Sequence, residues 1–161
     1  MGLTPVFVGF SSTDLLYYRT MQMWKANENI NLEFRDCQLR QEIYSEDEHY
    51  IKRKCRERIN MASKFIQLIG KDTRYKYKYV RWEAEVAIEK GCTIIGVNIN
   101  NSRYMDEKTC PPVIRDIGAI FVPFHPRIIQ FAINDHKMMG SGAYYYKDVV
   151  YHKLELEQFL S

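Results

Sequence analysis

A single glutamate, Glu83, stands out as a residue whose surroundings suit chemistry. It lies in the string Tyr79-Val80-Arg81-Trp82-Glu83, ahead of an apolar and small-residue pattern that Gly91 ends. At about 100° per residue, Val80, Ala84, Ala87 and Ile88 form an apolar stripe. Glu83 falls on the shoulder of that stripe, which predicts a half-buried carboxylate, whereas Glu85 and Glu89 project to water. A position in the first turn also places Glu83 near the positive end of the helix, which favours its ionised form. An ionised carboxylate there could stabilise developing positive charge. It could equally pair with a neighbouring Arg or Lys, and spacing alone favours that structural reading.

Other residues offer less. Tyr79 and Trp82 could stack on a planar ring or pack against the sheet. The loop of residues 71–81 interleaves Lys71, Arg74, Lys76, Lys78 and Arg81 with Tyr75, Tyr77 and Tyr79, which suits a pyrophosphate, a nucleic acid or plain solvation. His49, His125, His136 and His152 lack metal-ligand spacing, so no metal site is expected. Ser11 and Ser12 have no His and Asp arranged as a hydrolase triad, and helix capping is their simpler role. Cys37, Cys55, Cys92 and Cys110 form no C-x-x-C pair and read as reduced thiols, as in cytosol.

The elements that position these groups follow from periodicity. Residues 5–10 form a β-prone run, and the Ser11-Ser12-Thr13-Asp14 stretch supplies N-caps for a helix over 14–27. Residues 30–34 alternate as an edge strand would, followed by a polar loop over 35–46. A helix is predicted over 50–61, with Ile51, Cys55, Ile59 and Ala62 on one face and its basic residues in water. A strand at 64–69 leads through Gly70 to the basic loop, then to a helix over 79–90 that Gly91 stops. The β-branched run 92–99 predicts a central parallel strand. A short helix near 113–117 precedes a last strand at 119–124. Beyond 126 the pattern is weaker: a Gly140-Ser141-Gly142 turn, the cluster Tyr144-Tyr145-Tyr146 and an amphipathic helix over 148–160. Strands alternating with helices predict a parallel sheet with right-handed crossovers. Its ligand site should lie at the strands' carboxyl ends, in the loops 10–14, 35–46 or 70–78. No Gly-rich dinucleotide fingerprint or P-loop is present, which disfavours a Rossmann dehydrogenase and an ordinary NTPase.

Composition bounds the rest. The chain has 161 residues, 46% apolar and 27% charged, enough for one sizeable core and too few for two ordinary domains. No stretch predicts a membrane span or a signal peptide, so a cytoplasmic protein is expected. The net charge of +3 does not by itself imply nucleic-acid binding.

The Tyr79–Glu83 string, with Ile88-Glu89-Lys90-Gly91 and Ile94-Ile95-Gly96-Val97-Asn98-Ile99-Asn100, resembles the TIR-domain family, and within it the TIR-like subunits of bacterial Thoeris anti-phage defence. The opening strand with Asp14, the Leu68-Ile69-Gly70 turn with Thr73, and the passage 140–148 support the likeness more loosely. Tyr79 stands where relatives commonly carry Trp. The resemblance implies an α/β, flavodoxin-like parallel sheet of about five strands flanked by helices. It implies one TIR-like domain over 1–161, with a core of about 5–125 and a C-terminal extension over 126–161. It implies an NAD nucleosidase or ADP-ribosyl cyclase, with NAD as substrate rather than cofactor and Glu83 as the catalytic residue. Phe10, Ser11, Ser12, Asp36, Tyr79 and Trp82 would bind NAD. The product would be an ADP-ribose-derived nucleotide that diffuses to a partner effector protein, with a phage-derived trigger and self-association through a loop near residues 36–42. The alternative is a non-catalytic TIR-like module that signals by oligomerising.

Overall fold

The computed structural model describes residues 2–38, 47–76 and 78–160. Among these, six strands form one wholly parallel sheet in the order β2-β1-β3-β4-β5-β6: β1 Pro5–Gly9, β2 Arg35–Asp36, β3 Lys64–Ile69, β4 Thr93–Asn98, β5 Ala119–Pro123 and β6 Ala143–Tyr145. Five α-helices flank it: α1 Leu15–Ala26, α2 Glu48–Asn60, α3 Val80–Lys90, α4 Pro126–Asp135 and α5 Asp148–Lys153.

Alternating side chains of the strands feed two apolar layers. Val6, Val8, Ile66, Leu68, Ile95 and Val97 meet Tyr18 and Met21 of α1, Ile128 and Ile129 of α4, and Tyr151 of α5. On the other face Phe7, Phe65, Ile94 and Phe121 meet Ile59 of α2 and Ala84 and Ala87 of α3. Burial on both faces explains the nearly unbroken apolar runs of β3, β4 and β5. Each fully buried large aliphatic or aromatic side chain contributes about 1.5–3 kcal/mol.

The structure departs from the periodicity in several places. Leu32 and Phe34 are buried as their alternation predicts, yet residues 30–34 make no ladder. Pairing begins only where Arg35 N donates to the Thr4 carbonyl, and the edge strand is Arg35–Asp36. A sixth strand follows the fifth, because Gly118 N bonds the Gly142 carbonyl and sets Ala143 beside Ala119. The helix predicted near 113–117 is a single 3-10 turn, Pro112–Ile114. The last helix stops at Lys153 rather than running to 160, since Glu155 takes a left-handed φ of 59° before a 3-10 turn at Glu157–Phe159.

The segment after residue 125 is part of the core. Pro126 opens α4 at its first turn, where a missing N–H costs nothing. Arg103, 7% exposed, holds α5 in place: its Nη2 donates to Asp148 Oδ1 at 2.9 Å and to the Tyr146 carbonyl at 3.0 Å, and its guanidinium lies 4.4 Å from the Tyr151 ring centre.

Candidate functional site

The carboxyl ends of β1 and β3 open onto a cavity of about 640 Å3, within the range of small-molecule sites. One wall is Phe10, Ser11 and Ser12, directly after β1. The facing wall is Tyr75, Lys76, Lys78 and Tyr79, with Val80 and Glu83 from the start of α3, and Gln38 closes a side. Of the residues singled out in the sequence, Phe10, Ser11, Ser12, Tyr79 and Glu83 therefore meet in one place.

Glu83 is the chemically unusual member. It is 8% exposed, not half-buried as the helical stripe predicts. Burial pushes its carboxyl up to about 8, and a hydrogen bond from the Cys55 thiol on α2 only partly offsets this. Desolvation thus outweighs the helix-end field that was expected to favour the ionised form. The Cys55 thiol is itself pushed to about 12, first by burial and then by the charge of and hydrogen bond to Glu83. It stays protonated and able to donate.

The lysines bring positive charge to the mouth. Lys78 Nζ lies 3.3 Å from Glu48 Oε2, and Glu48 also reaches Lys52 at 3.2 Å; hydrogen bonds from both hold the Glu48 carboxyl below its ordinary value. These ion pairs are partly exposed and contribute little to stability.

A network of hydroxyls and carboxylates ties the two walls together. Thr13 Oγ1 donates to both oxygens of Asp72, at 3.0 and 3.2 Å, and lies 3.0 Å from Ser11 Oγ. One turn deeper, Gly70 N donates to Thr73 Oγ1 at 2.8 Å, and Thr73 Oγ1 donates to Asp14 Oδ2 at 3.4 Å. A Cβ on Gly70 would meet Asp14 Oδ1 at 2.6 Å, so only glycine lets this carboxylate pack on the backbone. The Asp14 carboxyl is raised by burial and then by the charge of Asp72, with Thr73 opposing. Neither Ser11 nor Asp14 caps a helix through its side chain, contrary to the capping expectation: Ser11 bonds Thr13 in its own loop, and Asp14 bonds Thr73 across the walls.

Two expected binding residues stand back from the cavity wall. Asp36 accepts a hydrogen bond from the Tyr18 hydroxyl, while its Oδ1 accepts from Gln38 N at 2.9 Å. It therefore steadies Gln38, which does line the cavity. Trp82 packs on the α2–α3 layer, with Lys52 and Arg56 of α2 over its ring at 5.4 and 5.7 Å from the ring centre. The proposed assembly loop near 36–42 lies largely outside the described residues, and so does Tyr77. Gln38 and Asp72 fall within the predicted ligand loops without having been singled out, and Cys55 and Asp72 act on Glu83 and Thr13, partners distant along the chain. Among the described residues, no cluster of three or more His, Cys, Asp or Glu side chains could hold a metal ion.

A family model described as the TIR-like domain of the Thoeris protein ThsB matches residues 7–104. The chain belongs to this family. The match runs from β1 through β4 and so takes in both walls of the cavity and Glu83, and the parallel sheet agrees with a TIR-like fold. Membership makes this ThsB TIR-like domain a defence-related TIR module. A search of curated proteins finds no match. No helix among the described residues is long and apolar enough to cross a membrane.

Proposed function

We propose that this ThsB TIR-like domain consumes NAD in the cytoplasm, as an NAD nucleosidase or ADP-ribosyl cyclase. Its ADP-ribose-derived product would activate a partner effector in anti-phage defence, after a phage-derived trigger and with self-association. The observation that carries the reading is a buried carboxylate, Glu83, in the wall of a nucleotide-sized cavity that also presents aromatic rings and lysines.

The chemistry that fits is cleavage of the nicotinamide–ribose bond. Nicotinamide leaves as a neutral molecule with the electron pair of the broken C–N bond, and positive charge develops on the ribosyl carbon. Water, or a nucleophilic atom of the nucleotide itself, then bonds to that carbon and loses a proton. Glu83 opposes the developing charge, and burial strengthens that interaction because little water screens it. The same burial disfavours an empty ionised site, but the fixed positive charge of a bound nicotinamide ring draws the carboxyl back to its ionised form. Lys76 and Lys78 suit the pyrophosphate, and Phe10, Tyr75 and Tyr79 offer faces for the bases.

The test is nicotinamide release and mass spectrometry of NAD-derived nucleotides, with purified protein and with phage-challenged cells. Release that disappears in Glu83→Gln, with folding intact, is the expected result; equal turnover in that variant overturns the assignment. The pairing of Glu83 with Cys55 favours a second reading, in which the carboxyl is a neutral packing group and the domain signals by oligomerising. That reading predicts no nicotinamide release under any trigger.

A further inference from the structure

We propose that Asp72 is a positioning residue that acts through Thr13 to turn the Ser11 hydroxyl into a fixed hydrogen-bond acceptor facing the nucleotide. This rests on the reading of the cavity as an NAD site.

The direction of each bond follows from the count of hydrogens. An ionised carboxylate only accepts, and a threonine hydroxyl has one proton to give. Thr13 gives that proton to Asp72, sharing it between the two oxygens at 3.0 and 3.2 Å. In the 3.0 Å contact between Ser11 Oγ and Thr13 Oγ1, either oxygen could donate on geometry alone. With the Thr13 proton committed, Ser11 must be the donor. Ser11 is 1% exposed and lines the cavity. Its proton points to Thr13, two residues further along the chain, and its lone pairs remain for a ligand. The wall therefore selects a ligand group that donates there, such as a ribose hydroxyl or a carboxamide N–H.

The same relay crosses between the loops that follow β1 and β3. It holds the Ser11–Ser12 wall at a set distance from the Lys76–Tyr79 wall. Thr13 is on the surface, so replacing it does not touch the core.

The experiment measures NAD binding by calorimetry in the Glu83→Gln background, where turnover does not deplete the ligand. Thr13→Val and Asp72→Ala each weaken binding about tenfold, the scale of one lost hydrogen bond to a bound group, while Thr13→Ser restores it. In a double-mutant cycle, Thr13→Val has no further effect once Ser11 is alanine, because Thr13 acts only through that hydroxyl. Additive effects, or full affinity in Thr13→Val, overturn the proposal. A parent protein that binds no NAD overturns the cavity assignment. The relay is then judged by amide exchange at Asp14, whose N–H donates to the Ser11 carbonyl at 2.7 Å. Its protection falls in Thr13→Val and holds in Thr13→Ser if the relay fixes this loop; unchanged protection in Thr13→Val refutes it.

Discussion

The carboxyl of Glu83 on α3 is raised by burial and only partly compensated by the thiol of Cys55 on α2, so the most unusual acid of the cavity has a buried neutral neighbour as its compensating group. A neutral partner compensates an ionised carboxylate only in part. Ionising Glu83 therefore costs the folded protein stability.

That cost is measurable as a function of pH. Its folded-state value of about 8 lies above the ordinary carboxyl value of 4.5, so the native protein binds this proton more tightly than the unfolded chain. The associated stability is complete below the unfolded value and is lost as pH rises through about 8. Glu83→Gln has no charge to bury. Its Tm should exceed that of the parent by a margin that grows between pH 5 and pH 9, roughly the span between the two values. A margin that does not change with pH would show that Glu83 is solvated.

Activity should run in the opposite sense. Cleavage needs the ionised carboxylate, so kcat/KM for NAD should rise with pH with a midpoint near 8 in the free protein. Saturating NAD should move that midpoint to lower pH, because the bound nicotinamide cation favours the ionised form. Initial-rate profiles at low and saturating NAD check both statements.

Gly70→Ala should be destabilising by about 1–3 kcal/mol, since the new methyl must displace the Asp14 carboxylate from a packed site. Urea denaturation reads the loss. Gly91→Ala also costs stability, through its left-handed φ of 91°, but its Cβ would meet nothing within 4 Å. It should therefore leave NAD binding unchanged, whereas Gly70→Ala should weaken it.

Tyr79 and Trp82 should separate cleanly. Tyr79→Ala should raise KM for NAD about fivefold or more, on the scale of one lost base-stacking contact. Trp82→Ala should instead lower stability, because its ring packs on the α2–α3 layer outside the cavity wall. Steady-state kinetics and thermal denaturation distinguish the two.

Arg103→Met should cost about 1–3 kcal/mol by removing bonds to Tyr146 and Asp148 and the stacking on Tyr151. Asp148→Asn should cost much less, because that carboxylate is 70% exposed and screened by water. Chemical denaturation of the two variants tests the asymmetry.

The sheet was legible in the sequence because β3, β4 and β5 are buried on both faces and so read as short apolar runs, the β-branched residues concentrated in β4. The helix holding Glu83 was legible too, with Gly91 ending it in the left-handed conformation. What periodicity missed was set by partners far along the chain. The environment of Glu83 depends on Cys55, which occupies an ordinary apolar position of α2. The chain of hydrogen bonds from Ser11 through Thr13 ends on Asp72, in a different loop. β6 escaped notice because only three residues pair, and its Tyr144 and Tyr145 remain exposed. The placement of Phe10, Ser11 and Ser12 came from family resemblance, and the geometry gathers them with Glu83 at one cavity.

The relay between Thr13 and Asp72 joins residues 59 positions apart. Those residues become neighbours only because β1 pairs with β3, its neighbour in the sheet although β2 and two α-helices intervene in the sequence. A chain emerging from the ribosome cannot shape the cavity until β3 has been made and has docked, after the entropy of closing that long loop has been overcome. Neither half of the site has a local precursor. The Glu83 site is therefore withheld from chains in which β1 and β3 have not yet paired.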